Sequence, residues 1–308
     1  MIQVKNLTKS YEDVKALKGV SFEIPDGEIF GMLGPNGAGK STTINILSTI
    51  LEPDSGEVFL NGLELKNNVN ACKKIIGVVP QEISLYEDLS AIDNLMFWGS
   101  LYKLRKSELK EKSNTVLQLL GLYERKNDKI KTYSGGMKRR INIATALLHS
   151  PKILFMDEPT VGIDSQSRNL IFDVIEQLNK DGTTIIYTTH YMEEAERLCN
   201  RIAIIDTGKI IAQGTLPELK KISNTDEFIS IKLDNNTNTD EEKLKKILNS
   251  KFSLNDKILN IYSEDIRNEL PQLITTLHDS GIEPVQIEIQ KANLEQIFLK
   301  LVGKQLRD

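Results

Sequence analysis

A glycine-rich loop near the N-terminus constrains the chain more than any other segment. It lies between Glu28 to Leu33, an apolar stretch that predicts a strand, and Ser41 to Ile50, which predicts a helix. Its pattern, G-x-x-x-x-G-K-[ST], directs backbone N–H groups and the positive end of a helix at one anion. A glycine-rich turn with a surface lysine is the alternative, and the flanking strand and helix disfavour it. The loop reads Gly34-Pro35-Asn36-Gly37-Ala38-Gly39-Lys40-Ser41.

The end of this loop has the side chains that a nucleoside triphosphate requires. Lys40 would neutralise charge on the β- and γ-phosphates, and the hydroxyl of Ser41 would bind Mg²⁺. Thr42 adds a hydroxyl near the phosphates. We therefore expect ATP and Mg²⁺ to bind at this loop.

A pair of acidic residues follows another apolar segment. Ile153 to Met156 predicts a buried strand, and Asp157, Glu158 and a proline come directly after it. Asp157 would lie on the same sheet edge as Lys40 and hold Mg²⁺, directly or through water. Glu158 would orient and polarise the attacking water. Two acidic residues can also simply face water where a strand ends in a loop, but the phosphate loop favours the catalytic role.

Apolar patterns predict an α/β protein with two domains. Near-continuous apolar runs from Ile153 onward indicate strands of a parallel sheet that is buried on both faces. From about residue 90 to 150 the apolar spacing changes to about 3.6 residues, which predicts an inserted helical block. Glycine nearly disappears after Lys221, and residues 234–240 form a polar loop. We expect a nucleotide-binding domain at 1–221 and a small C-terminal α/β domain at 222–308.

Composition and charge exclude several classes of protein. The 308 residues carry 39 basic and 43 acidic side chains, a balance without the electrostatic footprint of a nucleic-acid-binding protein. No apolar run approaches the roughly 20 residues that a membrane-spanning helix needs. The first residues lack a secretion signal, and two cysteines build no disulfide framework. We expect a cytoplasmic protein that binds no nucleic acid.

A second glycine motif opens another predicted helix. Ser134 fits an N-cap, and Gly135 and Gly136 leave N–H groups uncovered, which makes a second phosphate site. The same three residues are also common in linkers, so the motif alone leaves both interpretations open. The basic residues 138–140 are expected to form a solvated helix face. The segment reads Tyr133-Ser134-Gly135-Gly136-Met137-Lys138-Arg139-Arg140.

The order of these motifs resembles the ATP-binding cassette of ABC transporters over residues 1 to about 220. The resemblance implies a P-loop NTPase cassette with an inserted helical subdomain. In that family the Ser134-Gly135-Gly136 element binds the γ-phosphate of ATP held by the other cassette of a head-to-tail dimer. Gln81 matches the glutamine that senses Mg²⁺ and water and links to the membrane subunit; without the resemblance it would be an ordinary turn residue.

Three further positions match the family. His190 matches the histidine that contacts the γ-phosphate, and Tyr11 matches the aromatic residue that stacks on adenine. Asp164 matches the aspartate that crosses the dimer interface. From the residues alone, His190 is as readily a residue that caps its strand, and Tyr11 a residue that covers the core.

Departures from the commonest cassette pattern resemble the exporters of drugs, antibiotics, sodium and lipids. They are Tyr133, Met137, the stretch 192–197 and a C-terminal extension that contains Leu294–Leu299. The resemblance implies an ATPase subunit, in a homodimer or a dimer with a related cassette, that drives transmembrane permease subunits at the cytoplasmic face of the cell membrane. The rival function is a soluble ABC-type ATPase acting on ribosomes or chromosomes. The acidic charge and the single cassette argue against it.

Two apolar groups each allow two interpretations. The face of the C-terminal helix from Leu294 to Leu301 is expected to pack within its own domain, with dimer stabilisation or docking as the second hypothesis. Phe97, Trp98 and Tyr102 lie in the helical block, where family cassettes receive the membrane subunit. Core packing explains these three aromatic residues equally well.

Overall fold

The structure, a computed structural model, describes residues 1–224, 228–234, 241–248, 250–262, 266–290 and 293–303. It contains two compact units, Met1–Leu216 and Pro217–Gly303. The predicted boundary near residue 222 falls just after this division, and its position stays a prediction. Residues 235–240 of the predicted polar loop lie outside the described residues.

Strands and helices alternate through most of the first unit. Its strands are β1 (Ile2–Tyr11), β2 (Val14–Ile24), β3 (Ile29–Leu33), β4 (Ser55–Leu60), β5 (Leu63–Glu64), β6 (Ile76–Val79), β7 (Ile153–Asp157), β8 (Thr184–Thr189), β9 (Arg201–Asp206) and β10 (Lys209–Gly214). Its helices are α1 (Lys40–Leu47), α2 (Val69–Ile75), α3 (Ala91–Ser100), α4 (Lys106–Leu119), α5 (Gly135–Leu147), α6 (Ser165–Lys180) and α7 (Met192–Leu198), and α8 (Leu216–Ser223) follows. Among the helices of the described residues, none combines the length and the apolar composition that crossing a bilayer requires.

A six-stranded sheet in the order β10-β9-β3-β8-β7-β6 forms the centre of the first unit. Neighbouring strands of this sheet pair in parallel, except that the edge strand β10 pairs antiparallel with β9. Every residue of β3, β7 and β8 is buried, as expected for a parallel sheet covered on both faces. The carboxyl ends of these three strands therefore meet at one edge of the sheet.

The first two strands of the chain belong to a different sheet. β1 pairs antiparallel with β2 and β4, in a four-stranded sheet of order β2-β1-β4-β5. One face of this sheet is apolar: Val20, Phe22 and Ile24 of β2 are buried, while the residues between them are exposed. These three side chains belong to one hydrophobic cluster with Phe30 of β3 and Ile44 of α1. The second sheet therefore covers the side of the central sheet on which α1 lies.

Helices α3, α4 and α5 fall within the stretch that the sequence predicts to be helical. Leu95, Leu117 and Ile143, one from each helix, belong to a hydrophobic cluster that also contains Leu154 of β7. Ser90 caps α3, because its hydroxyl accepts a hydrogen bond from the third residue of the helix. The predicted α/β architecture with inserted helices is confirmed.

After α8, the second unit has the order β-α-β-β-α-β followed by a helix. Its elements are β11 (Phe228–Leu233), α9 (Glu241–Ile247), β12 (Phe252–Asn255), β13 (Ile258–Tyr262), α10 (Ile266–Asp279), β14 (Pro284–Gln290) and α11 (Leu294–Val302). The strands form an antiparallel sheet of order β12-β13-β11-β14, which is a ferredoxin-like arrangement. The sequence does not predict β12, because four residues are too few to establish a period of two. In α11, Leu294, Ile297 and Phe298 are buried, and the packing of this face within its own domain stays a prediction.

Replacing Ile231 with alanine should destabilise the second unit. Ile231 is fully buried in β11 and belongs to the core that α9 and α10 share with the sheet. We expect Ile231→Ala to lower the free energy of unfolding by about 2–5 kcal/mol. The neighbouring Lys232→Ala, on the exposed face, should change it by less than about 0.5 kcal/mol. Urea denaturation of the full chain measures both, and equal effects would contradict this packing.

Candidate functional site

The phosphate loop leaves β3 at Leu33 and enters α1 at Lys40. Gly37 and Gly39 have φ angles of 78° and 109°, in the left-handed region that other residues rarely adopt. A Cβ atom on Gly34 would lie only 2.2 Å from the carbonyl oxygen of Ile205 in β9. The path of the loop therefore requires these glycines.

Lys40 lies buried beneath the loop, with 4% of its surface exposed. Its Nζ donates to the carbonyl oxygens of Gly34 at 2.7 Å and Pro35 at 3.2 Å, and lies 3.2 Å from Oε1 of Glu158. No side chain of the described residues caps the start of α1, so its first N–H groups remain available to an anion. A buried cation beside an uncapped helix start suits a polyphosphate.

The acidic pair at the end of β7 is held by the next strand of the sheet. The hydroxyl of Thr188 in β8 donates to Oδ1 of Asp157 at 2.6 Å. The N–H of Glu158 donates to the hydroxyl oxygen of Thr188 at 3.0 Å and to its carbonyl oxygen at 3.2 Å. Glu158 has a φ of 44°, which is uncommon for a residue other than glycine. Strand β8 thus fixes two carboxylates that are each only 6% exposed.

Three predicted site residues converge on the carboxylate of Glu158. Oε1 lies 3.2 Å from Lys40 Nζ, and Oε2 lies 3.2 Å from Nδ1 of His190. Oε2 also accepts a long hydrogen bond, 3.5 Å, from Nε2 of Gln81. The His190 contact is not aligned as a hydrogen bond, and it becomes an ion pair when the imidazole is protonated. The fold therefore brings together Lys40, Gln81, Glu158 and His190, which four separate elements carry.

The remaining predicted nucleotide contacts lie along the same edge or on the surface. Ser41 and Thr42 are half-buried in the first turn of α1, while Asn36 in the loop is exposed. Tyr11 ends β1 and is 43% exposed, so it does not cover the core. This exposure leaves its ring available for stacking on a base.

The donor set at this edge fits a magnesium ion that arrives with its nucleotide. Ser41 and Asp157 offer a hydroxyl and a carboxylate, oxygen ligands that Mg²⁺ prefers together with substrate phosphates. Within the described part of the chain, no cluster of three or more His, Cys, Asp or Glu residues can hold a metal ion by itself. Phosphate oxygens would therefore complete the coordination.

The second glycine motif is built against the loop that contains Asp164. Ser134 caps α5, since its Oγ accepts the N–H of Met137 at 3.3 Å. A Cβ atom on Gly136 would lie 2.2 Å from Oγ of Ser167 and 2.9 Å from Oδ2 of Asp164. Asp164 caps α6 by accepting the N–H of Ser167 at 2.8 Å, and these hydrogen bonds lower the pKa of its carboxyl group. A glycine is therefore required at position 136, where the starts of α5 and α6 meet.

The expectation that residues 138–140 form a solvated face is wrong for Arg139. This side chain is 2% exposed and donates to the carbonyl oxygens of Pro80 and Gln81, each at 2.7 Å, and of Glu158 at 3.3 Å. Arg139 is three residues after Gly136 and four before Ile143, which are also buried. The helical period of these buried positions is the sequence signal that places Arg139 on the inner face.

A second buried charge ties together the loops that follow β7 and β8. Glu194 in α7 is 3% exposed and accepts hydrogen bonds from the hydroxyls of Thr160, Tyr187 and Thr189 at 2.8, 2.8 and 2.9 Å. Thr160 closely follows the acidic pair, and Thr189 directly precedes His190. Burial, together with the charge of Glu194, raises the pKa of Tyr187 well above its ordinary value. The acidic sequence around Glu194 gives no signal of this burial.

Comparisons with known proteins indicate one family. The family model described as ABC transporter matches residues 17–161. The chain is 44% identical to the linearmycin resistance ATP-binding protein LnrL of Bacillus subtilis (strain 168), over 100% of both chains. It is 36% identical to the Nod factor export ATP-binding protein I of Cupriavidus metallidurans, over 100% of this chain and 99% of that protein.

A solved structure agrees with these relatives. It is the dimeric structure of a post-hydrolysis state of the ATP-binding cassette MJ0796 bound to ADP and Pi. Its TM-score is 0.65 at 29% identity, and the match covers 70% of this chain and 99% of that one. The predicted cassette fold and the predicted ATPase activity are confirmed. This chain belongs to the family of ATP-binding, ATP-hydrolysing subunits of ABC transporters.

Proposed function

We propose that this chain is the motor of an exporter, in which two identical or related cassettes close on two ATP molecules and drive separate permease subunits. The observation that carries the proposal is the exposed helix start at Ser134 and Gly135. Within residues 1–224, all of them described, no hydrogen bond or ion pair joins it to the phosphate loop. This helix start is an anion site that lies apart from the phosphate loop of its own chain. The phosphate loop of a second cassette would bring the nucleotide to it. The dimeric cassette named above supports this closure, and the names of the two relatives support export.

Side chains of one cassette would bind most of the nucleotide and its magnesium ion. Tyr11 stacks on adenine, and Lys40 joins the N–H groups of the loop in binding the β- and γ-phosphates. Ser41, Asp157 and Gln81 hold Mg²⁺, directly or through water. When bound, this ion neutralises phosphate charge and orients the γ-phosphate. Asp164 contributes from the interface between the cassettes.

Hydrolysis would begin with a change of partner for Lys40. In the structure its ammonium group is paired with Glu158. A triphosphate offers Lys40 more negative charge than one carboxylate, so Lys40 shifts toward the phosphates. The carboxylate of Glu158 is then free to orient the attacking water and accept its proton. His190, on the other oxygen of Glu158, contacts the γ-phosphate.

Glu158→Gln should separate ATP binding from hydrolysis. The amide keeps the size of the side chain but accepts no proton, so we expect kcat to fall by about 10²–10⁴-fold while ATP still binds. The ATP-bound dimer should accumulate, as size-exclusion chromatography with ATP measures. Glu57→Gln, an exposed substitution in β4, is the matched control and should leave kcat unchanged. Normal turnover of Glu158→Gln would remove this residue from the mechanism.

Ser134→Arg should block closure of the two cassettes. The exposed start of α5 would carry a bulky cation where the second cassette's loop must approach. We expect ATPase activity to fall at least about tenfold, while the ATP affinity of the isolated chain stays within about twofold. Ser107→Arg adds the same group to the exposed start of α4 and serves as the control. Similar turnover in both variants would contradict the proposed dimer site.

A groove beside the helical block is the proposed docking site of the permease. This cavity of about 1020 Å³ is lined by Pro80, Trp98, Leu101, Tyr102 and His149, among others. Trp98 packs partly against the core, whereas Leu101 and Tyr102 are 64% and 38% exposed. Tyr102 also stacks on His149, with ring centroids 3.8 Å apart. Exposed apolar residues around a groove suit a protein partner, and docking there would place the chain on the cytoplasmic face of the membrane.

Leu101→Glu should release the permease without affecting the chain's own ATPase activity. Leu101 lines the groove, whereas the equally apolar Leu119, 38% exposed at the end of α4, does not. After purification from native membranes in mild detergent, we expect the wild type and Leu119→Glu to retain a multi-span protein. We expect Leu101→Glu to lose most of it. Recovery of ribosomal RNA or chromosomal DNA with the wild type would instead support the rival function.

A further inference from the structure

Arg139 is a buried cation whose partners are all uncharged. It is the fifth residue of α5, 2% exposed, and no acidic side chain of residues 1–224 lies within ion-pair distance of it. Burial lowers the pKa of its guanidinium, although an arginine remains protonated in a protein. A buried charge is costly unless it is compensated, and here the nearby charge of Asp157 and three hydrogen bonds offset part of the lost hydration. Stability alone does not account for an arginine at this position.

The hydrogen bonds of Arg139 join two loops of the site. Nη1 donates to the carbonyl oxygen of Pro80, while Nη2 donates to those of Gln81 and Glu158. Asn142, three residues later on the same helix, accepts the N–H of Ser84 at 3.4 Å. Helix α5 therefore bonds the loop that contains Gln81 at Pro80, Gln81 and Ser84, and it bonds the peptide group after Glu158. The planar guanidinium can reach both loops at once because its donors point in fixed, different directions.

The hydrogen bond from Arg139 to the carbonyl group of Glu158 influences where the carboxylate of Glu158 points. The backbone of Glu158 has a φ of 44°, an unfavourable conformation that surrounding contacts must maintain. Thr188 holds the N–H of this residue, and Arg139 holds its carbonyl group. Loss of the second contact would let the peptide rotate and would misdirect the side chain.

We propose that Arg139 is a positioning residue that sets Glu158 and Gln81 for hydrolysis and ties their position to α5, the helix that Ser134 caps. The inference rests on the proposed function, which gives Glu158 the attacking water and Ser134 the nucleotide of the second cassette. Ser134 and Arg139 lie near the start of the same helix, so contact with one nucleotide adjusts the residues that hydrolyse the other. Arg139 itself acts only through the two loops that it holds.

The test compares Arg139→Met with Arg201→Met in the full-length chain. Arg201 is a half-buried arginine at the start of β9, and it bonds the carbonyl oxygen of Glu23 and pairs with Glu28, outside the hydrolytic site. We expect Arg139→Met to lower kcat by about 10–100-fold, the cost of a displaced catalytic group. The KM for ATP and the ATP affinity of the isolated chain should stay within about twofold. The control should keep at least about half of the wild-type kcat.

A double variant distinguishes positioning from a general loss of structure. Because Arg139 acts mainly through Glu158, adding Arg139→Met to Glu158→Gln should lower kcat by a much smaller factor than Arg139→Met does in the wild type. A merely structural role would lower kcat by the same factor in both backgrounds, and that result would overturn the inference. Normal kcat in Arg139→Met alone would also overturn it, while leaving the role of Glu158 intact. Normal kcat in Glu158→Gln would instead count against the proposed function.

If Arg139→Met does not fold, Arg139→Lys provides a second test of the same proposal. Lysine keeps the charge, but its single ammonium group cannot span two loops as a guanidinium does. We expect a folded protein, judged by its urea midpoint, with ATP affinity unchanged and kcat lowered at least about fivefold. Full activity in this variant would show that the charge alone suffices, and it would contradict positioning through the three carbonyl groups.

Discussion

The buried pair formed by Lys40 and Glu158 is the interaction on which the rest of the site depends. Their side chains are 5% and 7% exposed, so each charge has lost most of its hydration. Removing one partner of such a pair is strongly destabilising, by about 3–5 kcal/mol, because the other charge is left alone. The pairing therefore satisfies both charges within the cassette. In the proposed mechanism, the arrival of phosphates would exchange the partner of Lys40 and expose a carboxylate to water, so binding would prepare hydrolysis.

Strand order explains why this pair can form. In the central sheet β8 lies between β3 and β7, so the phosphate loop and the acidic pair are separated by one strand. That strand supplies Thr188, which bonds both acidic residues, and ends at Thr189, directly before His190. Parallel strands bring their carboxyl ends to one edge, where ligands of open α/β sheets bind. The chemistry of the site thus follows from topology.

Sequence patterns predict those features of this protein that a few neighbouring residues determine. The phosphate loop, the acidic pair after Ile153–Met156 and the N-cap at Ser134 each need only a few neighbouring residues. The sequence does not reveal that β1 and β2 lie outside the central sheet, because the residues of a strand do not specify which strands it pairs with. It also misplaces Arg139, whose burial depends on carbonyl groups more than fifty residues away in the Gln81 loop. Charges are assigned to the surface by default, and only the fold supplies the compensating partners.

The two buried charges, Arg139 and Glu194, both bind residues of the short segment that follows β7. Arg139 binds the carbonyl group of Glu158, and Glu194 binds Thr160 just beyond it, as well as Thr189 beside His190. Buried charges of this kind can often be replaced by apolar residues without loss of stability, so stability is a poor reason for them. Their hydrogen bonds have directions, which apolar contacts lack. Because Glu158 occupies an unfavourable backbone conformation, directional bonds on both sides of it specify where its carboxylate lies.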